Sequence, residues 1–265
     1  MILVLQLFGY VLIFYLCCVA LMYLGQERLI FHPTSSTHQH HQSRQVEGYR
    51  LQRGMVTLGG WLVHPERASD KLLIYFGGNA EDVFLNIEEY QAIEAATLFV
   101  AYRGYGPSGG KPGEQELYKD ALAVFDDVVR REQPRHVFLI GRSLGSALAS
   151  YVAAHRSVQG VVLITPFDSL VEVARSHYPW LPVAWLLRHR FPSADFATAI
   201  TCPVLVIYGG RDQVVAPQRT ENLLRHLPES TKRLFLPHAE HGTIDMHGDY
   251  WRTLLAFLDQ PAAQG

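Results

Sequence analysis

The chain has little charge and no excess of either sign: 23 Lys and Arg stand against 25 Asp and Glu, giving a formal net charge of −2 with 18% charged residues. Without a basic field there is nothing to hold a phosphate backbone, so nucleic-acid binding is a poor hypothesis. Cysteine is scarce as well. Cys17, Cys18 and Cys202 form neither an even framework nor a CxxC pair, so neither a disulfide scaffold nor a cysteine-based zinc site is supported, and the redox compartment stays open. Internal repeats are lacking, and the 21 Gly and 14 Pro are too dispersed for a low-complexity chain. At 265 residues there is room for one large core, two small domains being the lesser alternative.

What the chain does have is 48% hydrophobic residues, unevenly spread. Residues 2–24 carry no charged side chain, and Gln6 is their only strongly polar one. About 20 apolar residues cross the roughly 30 Å hydrocarbon layer, so this run predicts an uncleaved, single-pass membrane anchor over residues 1–26. A cleaved signal peptide needs a basic n-region, a shorter apolar stretch and a small-residue cleavage site, none of which is present. A buried core helix is the other alternative. Arg28, Arg44, Arg50 and Arg53 follow the run, a bias towards a cytoplasmic domain that is too weak to fix the side. Residues 27–45 read as a polar linker. Its His38, His40 and His41 invite a metal, but no carboxylate or second ligand cluster stands beside them and none is assigned.

From residue 46 onwards short β-rich runs alternate with amphipathic helix-length stretches, the signature of an α/β fold. A hairpin is expected at 46–51 and 55–64, then strands at 71–76, 97–102, 136–140, 160–165, 203–208 and 232–236. Helices are expected at 82–95, 113–131, 144–156, 217–227 and 249–258. Runs such as LLIYF, VFLI and VLVIY are apolar on both faces, as for parallel strands covered by helices on each side. The expectation is one doubly wound, mostly parallel sheet of eight strands forming a single domain over residues 46–265.

The sharpest local signal is Gly141-Arg142-Ser143-Leu144-Gly145, directly after the strand HVFLI and before the small-residue helix SALASYVAAH. A serine at a strained strand-to-helix turn lifts its Oγ into the open, and the flanking glycines allow strand and helix to approach closely. The bland alternative is a serine capping a glycine-flanked helix. A hydroxyl needs a base, and the base an orienting acid, expected after later strands in the order Ser, acid, His. Asp212 follows PVLVIY and His241 follows RLFLP, with Asp168 and His238 as competitors. One oxyanion donor is the Leu144 N–H at the helix start. The other is expected in the loop Gly77-Gly78-Asn79, with Asn79 N–H first and Gly78 second, unless Asn79 simply caps the following helix. Tyr102, Arg103 and Tyr105 are expected to frame the pocket or to brace it.

With these residues in view the chain resembles the α/β-hydrolase superfamily over residues 46–258. It looks most like a membrane-anchored, cap-poor group that includes bud-emergence-related hydrolases, ABHD depalmitoylases and serine aminopeptidase-like proteins. QERLIFHP, GGNAEDV, AYRGYGPSGGKPGE, GRSLGSALA, TPFDSL and YPWLPVAWLLRHRF carry the resemblance. One departure stands out: Gly77 occupies a position where many relatives have His, removing a side-chain brace of the oxyanion loop. The resemblance implies that Ser143 attacks an ester or thioester carbonyl, His241 shuttles the proton, Asp212 holds the imidazole, and no cofactor takes part. A small-molecule or lipid-like acyl substrate follows. The alternatives are a serine aminopeptidase-like peptidase and a non-catalytic membrane scaffold. Little chain remains for a cap, so a shallow site covered by residues 167–191 and by the membrane is expected. In that segment, residues 178–187 either flank an acyl pocket or form a packed connecting helix.

Overall fold

The computed structural model describes residues 1–35 and 45–260. His38, His40 and His41, with the rest of residues 36–44 of the expected linker, lie outside the described residues. Eight strands form one sheet in the order β1-β2-β4-β3-β5-β6-β7-β8. They are β1 (Val46–Arg53), β2 (Val56–Val63), β3 (Lys71–Phe76), β4 (Ala96–Ala101), β5 (His136–Arg142), β6 (Gly160–Ile164), β7 (Val204–Gly209) and β8 (Lys232–Leu236). β2 runs antiparallel to both β1 and β4, and every other pairing is parallel.

Alternation across the strands builds two cores. Leu72, Ile74, Phe76, Val137 and Leu139 face one side, where Leu117 and Val124 of α3 (Glu114–Glu132) and Ala147 and Leu148 of α4 (Leu144–His155) cover them. Leu73, Tyr75, Phe138 and Ile140 face the other, under Tyr90 of α2 (Ile87–Tyr90) and Leu254 and Phe257 of α9 (Gly248–Leu258). Period-two side-chain direction explains the split, and burial on both faces explains why these strands contain no alternating polar residue. α8 (Pro217–Leu224) opens on a proline at its first position, where the missing N–H is harmless.

One expected helix differs, and one segment left open is settled. The stretch 82–95 forms only a short 3-10 turn (Val83–Asn86) and the single turn of α2, with Asp82 rather than Asn79 as the cap, accepting from Phe84 N–H. Side chains here compete with helix formation: Asn86 and Tyr75 both donate to Glu81, whose other oxygen reaches back to Gly78 N–H. In the β6–β7 connection, α5 (Leu170–His177) is followed by Pro179 and Pro182, which limit residues 178–187 to the one turn of α6 (Val183–Leu186), and α7 (Ser193–Ala197) follows.

The N-terminal helix α1 (Ile2–Ile30) is long and apolar enough to cross a membrane, and runs four residues past the expected end of the anchor. Its last turns are docked on the domain. Gln26 is 5% exposed, donates to the Leu186 carbonyl at 3.2 Å and accepts from Arg188 N–H at 2.8 Å. Arg188 also pairs with Glu27 and lies over the Tyr23 ring. Phe31 then buries its ring against His189 and Phe191. Gln26→Leu keeps the volume but strands the Arg188 N–H and Leu186 carbonyl, so it is expected to lower stability by about 1–3 kcal/mol. A thermal melt of the full-length protein in detergent checks this, and an unchanged midpoint contradicts it.

Candidate active site

The elbow at the end of β5 has the strain its sequence implies. Ser143 lies at φ 50°, ψ −116°, a conformation L-residues rarely adopt. The turn is fixed from both sides: Ser143 N–H donates to the Ile164 carbonyl at 2.8 Å, and its own carbonyl accepts from Ser146 Oγ at 2.6 Å. Gly145 explains why the flanking residues are small. A Cβ there would lie 2.0 Å from the Phe76 carbonyl oxygen and 2.6 Å from that of Gly77. At Gly141 a Cβ would come within 2.4 Å of the Gly145 carbonyl oxygen. The elbow therefore packs directly on the end of β3, beside the loop expected to complete the oxyanion site.

That loop is held in detail. Tyr102 donates to the Gly77 carbonyl at 2.6 Å, and Tyr105 donates to Asn79 Oδ1 at 2.8 Å. The Asn79 side-chain amide donates to the Ile30 carbonyl at the end of α1. Burial pushes the Tyr105 phenol up to about 12 and Tyr102 well above its ordinary value, so both remain donors. These two tyrosines supply the bracing that the absent histidine at Gly77 does not, and any side chain at 77 would meet Val83 at 2.4 Å. Gly78 N–H is already taken by the Glu81 carboxylate. Among the described residues, Asn79 N–H and Leu144 N–H have no acceptor. Of the residues expected to frame or brace the pocket, Tyr102 and Tyr105 brace the loop, while Arg103 forms a two-pronged pair with Asp120 at 2.8 Å.

Asp212 and His241 meet at the ends of β7 and β8. His241 Nδ1 is 2.7 Å from Asp212 Oδ2. The carboxylate is buried, and its other oxygen accepts the N–H groups of Val214 and Val215 at 2.9 and 2.8 Å, which fixes its orientation. Asp168 is occupied elsewhere, accepting from Ser169 N–H and Asn222 and pairing with Arg219 at 3.2 Å. His238 is exposed. One residue that sequence reasoning passed over ties this pair to the elbow: Arg142, next to the serine, donates to the His241 carbonyl at 3.3 Å and to Asp245 at 2.9 Å. Its place as the variable residue of GxSxG carries no signal of that role.

Ser143, Leu144 and Asn79 open onto a cavity of about 250 Å³. Phe167, Leu170, Val173, Leu181, Val183 and Leu187 from the β6–β7 connection form one wall, as the expected cover at 167–191 implies. The opposite wall was not expected: Met22, Tyr23, Gln26, Leu29 and Ile30 of α1 form it. Among the described residues no Asp, Glu, Lys or Arg lines this space.

An eight-stranded, mostly parallel sheet with a serine elbow after its central strand and an acid–histidine pair after later strands defines the class of α/β hydrolases. Comparison with known proteins agrees. The family model described as serine aminopeptidase, S33, matches residues 87–198. An uncharacterized protein of Mycobacterium tuberculosis is 34% identical across 84% of this chain and 83% of its own length. Alpha/beta hydrolase domain-containing protein 17B of Xenopus tropicalis is 29% identical across 71% of this chain and 66% of that protein. A solved esterase of Pyrococcus furiosus shares the fold with a TM-score of 0.69 at 17% identity, over 88% of this chain and 99% of that one. The chain belongs to the α/β-hydrolase superfamily, and it is a hydrolase.

The strain at Ser143 makes a stability prediction. Glycine ordinarily costs about 0.5–1 kcal/mol relative to alanine, but a strained non-glycine conformation costs about 1–3 kcal/mol. Ser143→Gly is therefore expected to be more stable than Ser143→Ala by roughly 1 kcal/mol, measured by denaturant unfolding, and the reverse order contradicts the strain.

Proposed function

We propose that this hydrolase is a membrane-anchored serine esterase or thioesterase, cleaving carboxylic esters or thioesters that carry an apolar acyl group. Ser143 is the nucleophile, His241 the base and Asp212 the acid. The observation that carries the reading is a buried, doubly anchored carboxylate on His241 Nδ1, together with an elbow serine opening onto a largely apolar cavity.

In this mechanism Asp212 keeps the Nδ1 proton in place, leaving Nε2 to accept the Ser143 proton as Oγ attacks the carbonyl. The tetrahedral oxyanion is held by Leu144 N–H, aided by the N-terminus of α4, and by Asn79 N–H. His241 returns the proton to the leaving alcohol or thiol, and water then cleaves the acyl-enzyme by the same steps reversed. Removal of one oxyanion donor typically lowers kcat by about 10²–10³-fold.

The lining also bears on the alternatives. A peptidase that holds a substrate α-amine needs a carboxylate in reach, and none lines the cavity among the described residues. The ester reading is therefore preferred to the aminopeptidase one. The docking of α1 favours a retained anchor over a removed leader: cleavage after the apolar run would take Met22 and Tyr23 from the cavity and cut α1 just before the turns that carry Gln26 and Ile30.

A fluorophosphonate probe is expected to label the wild type at Ser143 and to leave Ser143→Ala unlabelled; labelling of that variant defeats the proposal by showing another nucleophile, and an unlabelled wild type defeats it in favour of the non-catalytic scaffold. Asp212→Asn keeps the geometry but favours the wrong histidine tautomer, so kcat on a p-nitrophenyl ester is expected to fall about 10⁴-fold. A loss of less than tenfold contradicts the role given to Asp212.

A further inference from the structure

We infer that the last turns of α1 are the acyl-binding wall of the active site, so the anchor helix itself selects long-chain acyl substrates and receives their chains from the bilayer side. This inference rests on the serine esterase or thioesterase reading and adds the substrate class to it.

Three observations carry it. First, Met22, Gln26, Leu29 and Ile30 recur at helical spacing on one face of α1, and all line the cavity that contains Ser143. Second, the cavity has a direction. The Ile30 carbonyl is bound by the side chain of Asn79, so that end of the helix adjoins the oxyanion loop, whereas Met22 lies eight residues back. At 1.5 Å per residue this is about 12 Å, roughly the length of a ten-carbon chain. An acyl chain bonded to Ser143 runs along α1 from Ile30 towards Met22, into the direction of the apolar span. Third, the span ends where the cavity begins: about 20 residues cross the hydrocarbon layer, and counted from Ile2 that length is used up next to Met22.

The cover also touches the apolar part of α1. Trp180 and Trp185 are 54% and 88% exposed, and the Tyr15 hydroxyl of α1 donates to the Trp180 carbonyl at 3.2 Å. Exposed tryptophans beside an apolar span match the aromatic belt of a membrane interface. The acyl chain thus passes from lipid to cavity between α1 and the cover, into a space that no Asp, Glu, Lys or Arg lines among the described residues.

The test uses full-length protein in detergent micelles and p-nitrophenyl esters of four and sixteen carbons, read as the ratio of kcat/KM for the long ester to that for the short one. Met22→Trp fills the far end of the wall and is expected to lower the ratio by roughly tenfold or more, the effect of leaving about two methylenes in water. Met22→Ala enlarges it and is expected to raise the ratio. Leu5→Trp, on the same helix but away from the cavity, controls for altered anchoring. A ratio unmoved by both Met22 variants, or moved equally by Leu5→Trp, overturns the inference while leaving the serine-hydrolase reading intact. A wild type that neither hydrolyses the four-carbon ester nor reacts with a fluorophosphonate removes that reading, and this inference with it. The two Met22 variants act in opposite directions, so a folding defect in one does not imitate the expected pair.

Discussion

Gly145 sits so close to the end of β3 that even a methyl group there would overlap the Phe76 carbonyl oxygen. That approach depends on Ser143 holding a positive φ, which turns the chain sharply from β5 into α4. The rest of the site hangs from this contact. Leu144 N–H is left at the helix start without an acceptor, the Gly77-Gly78-Asn79 loop lies against the same turn, and Arg142 reaches from the elbow to the backbone of His241. Strain at one residue is thus held in place by the packed backbone around it.

α1 is connected to the same centre. The Asn79 side chain is held between Tyr105 and the Ile30 carbonyl, so the Gly77-Gly78-Asn79 loop and the end of α1 share a hydrogen-bonded joint. Gln26, the buried polar residue just past the apolar run of α1, ties the helix to the cover through Leu186 and Arg188. A simple tether needs neither. A buried polar residue that satisfies two backbone groups fixes the register of helix against cover, because any shift would leave those groups unpaired.

Most of the sheet was legible because each strand is a short β-rich run bounded by turn residues, and the observed boundaries of β3 and β8 coincide with the expected ones. The elbow was legible because its glycines, serine and flanking elements are contiguous in the chain. The pairing of Asp212 with His241 followed from chain order, and the structure brings these two side chains together. What sequence concealed were long-range relations. Helical residues at 82–95 were diverted by side chains of Glu81 and Asn86 that found partners across the loop, and Pro179 and Pro182 prevented the segment after α5 from continuing as a helix. Hydropathy marked the apolar run of α1 but gave no sign that one face of its last turns lines the cavity at Ser143, far along the chain.

If Ser143 is the nucleophile and α1 supplies the acyl wall, the two form one site. The most direct measurement is a structure of the full-length protein inactivated by a long-chain alkyl phosphonate. The account predicts phosphorus bonded to Ser143 Oγ, its oxygen within hydrogen-bond distance of the Asn79 and Leu144 N–H groups, and the alkyl chain along Leu29, Gln26 and Met22. An adduct on another residue, or a chain that leaves the site without touching α1, contradicts it.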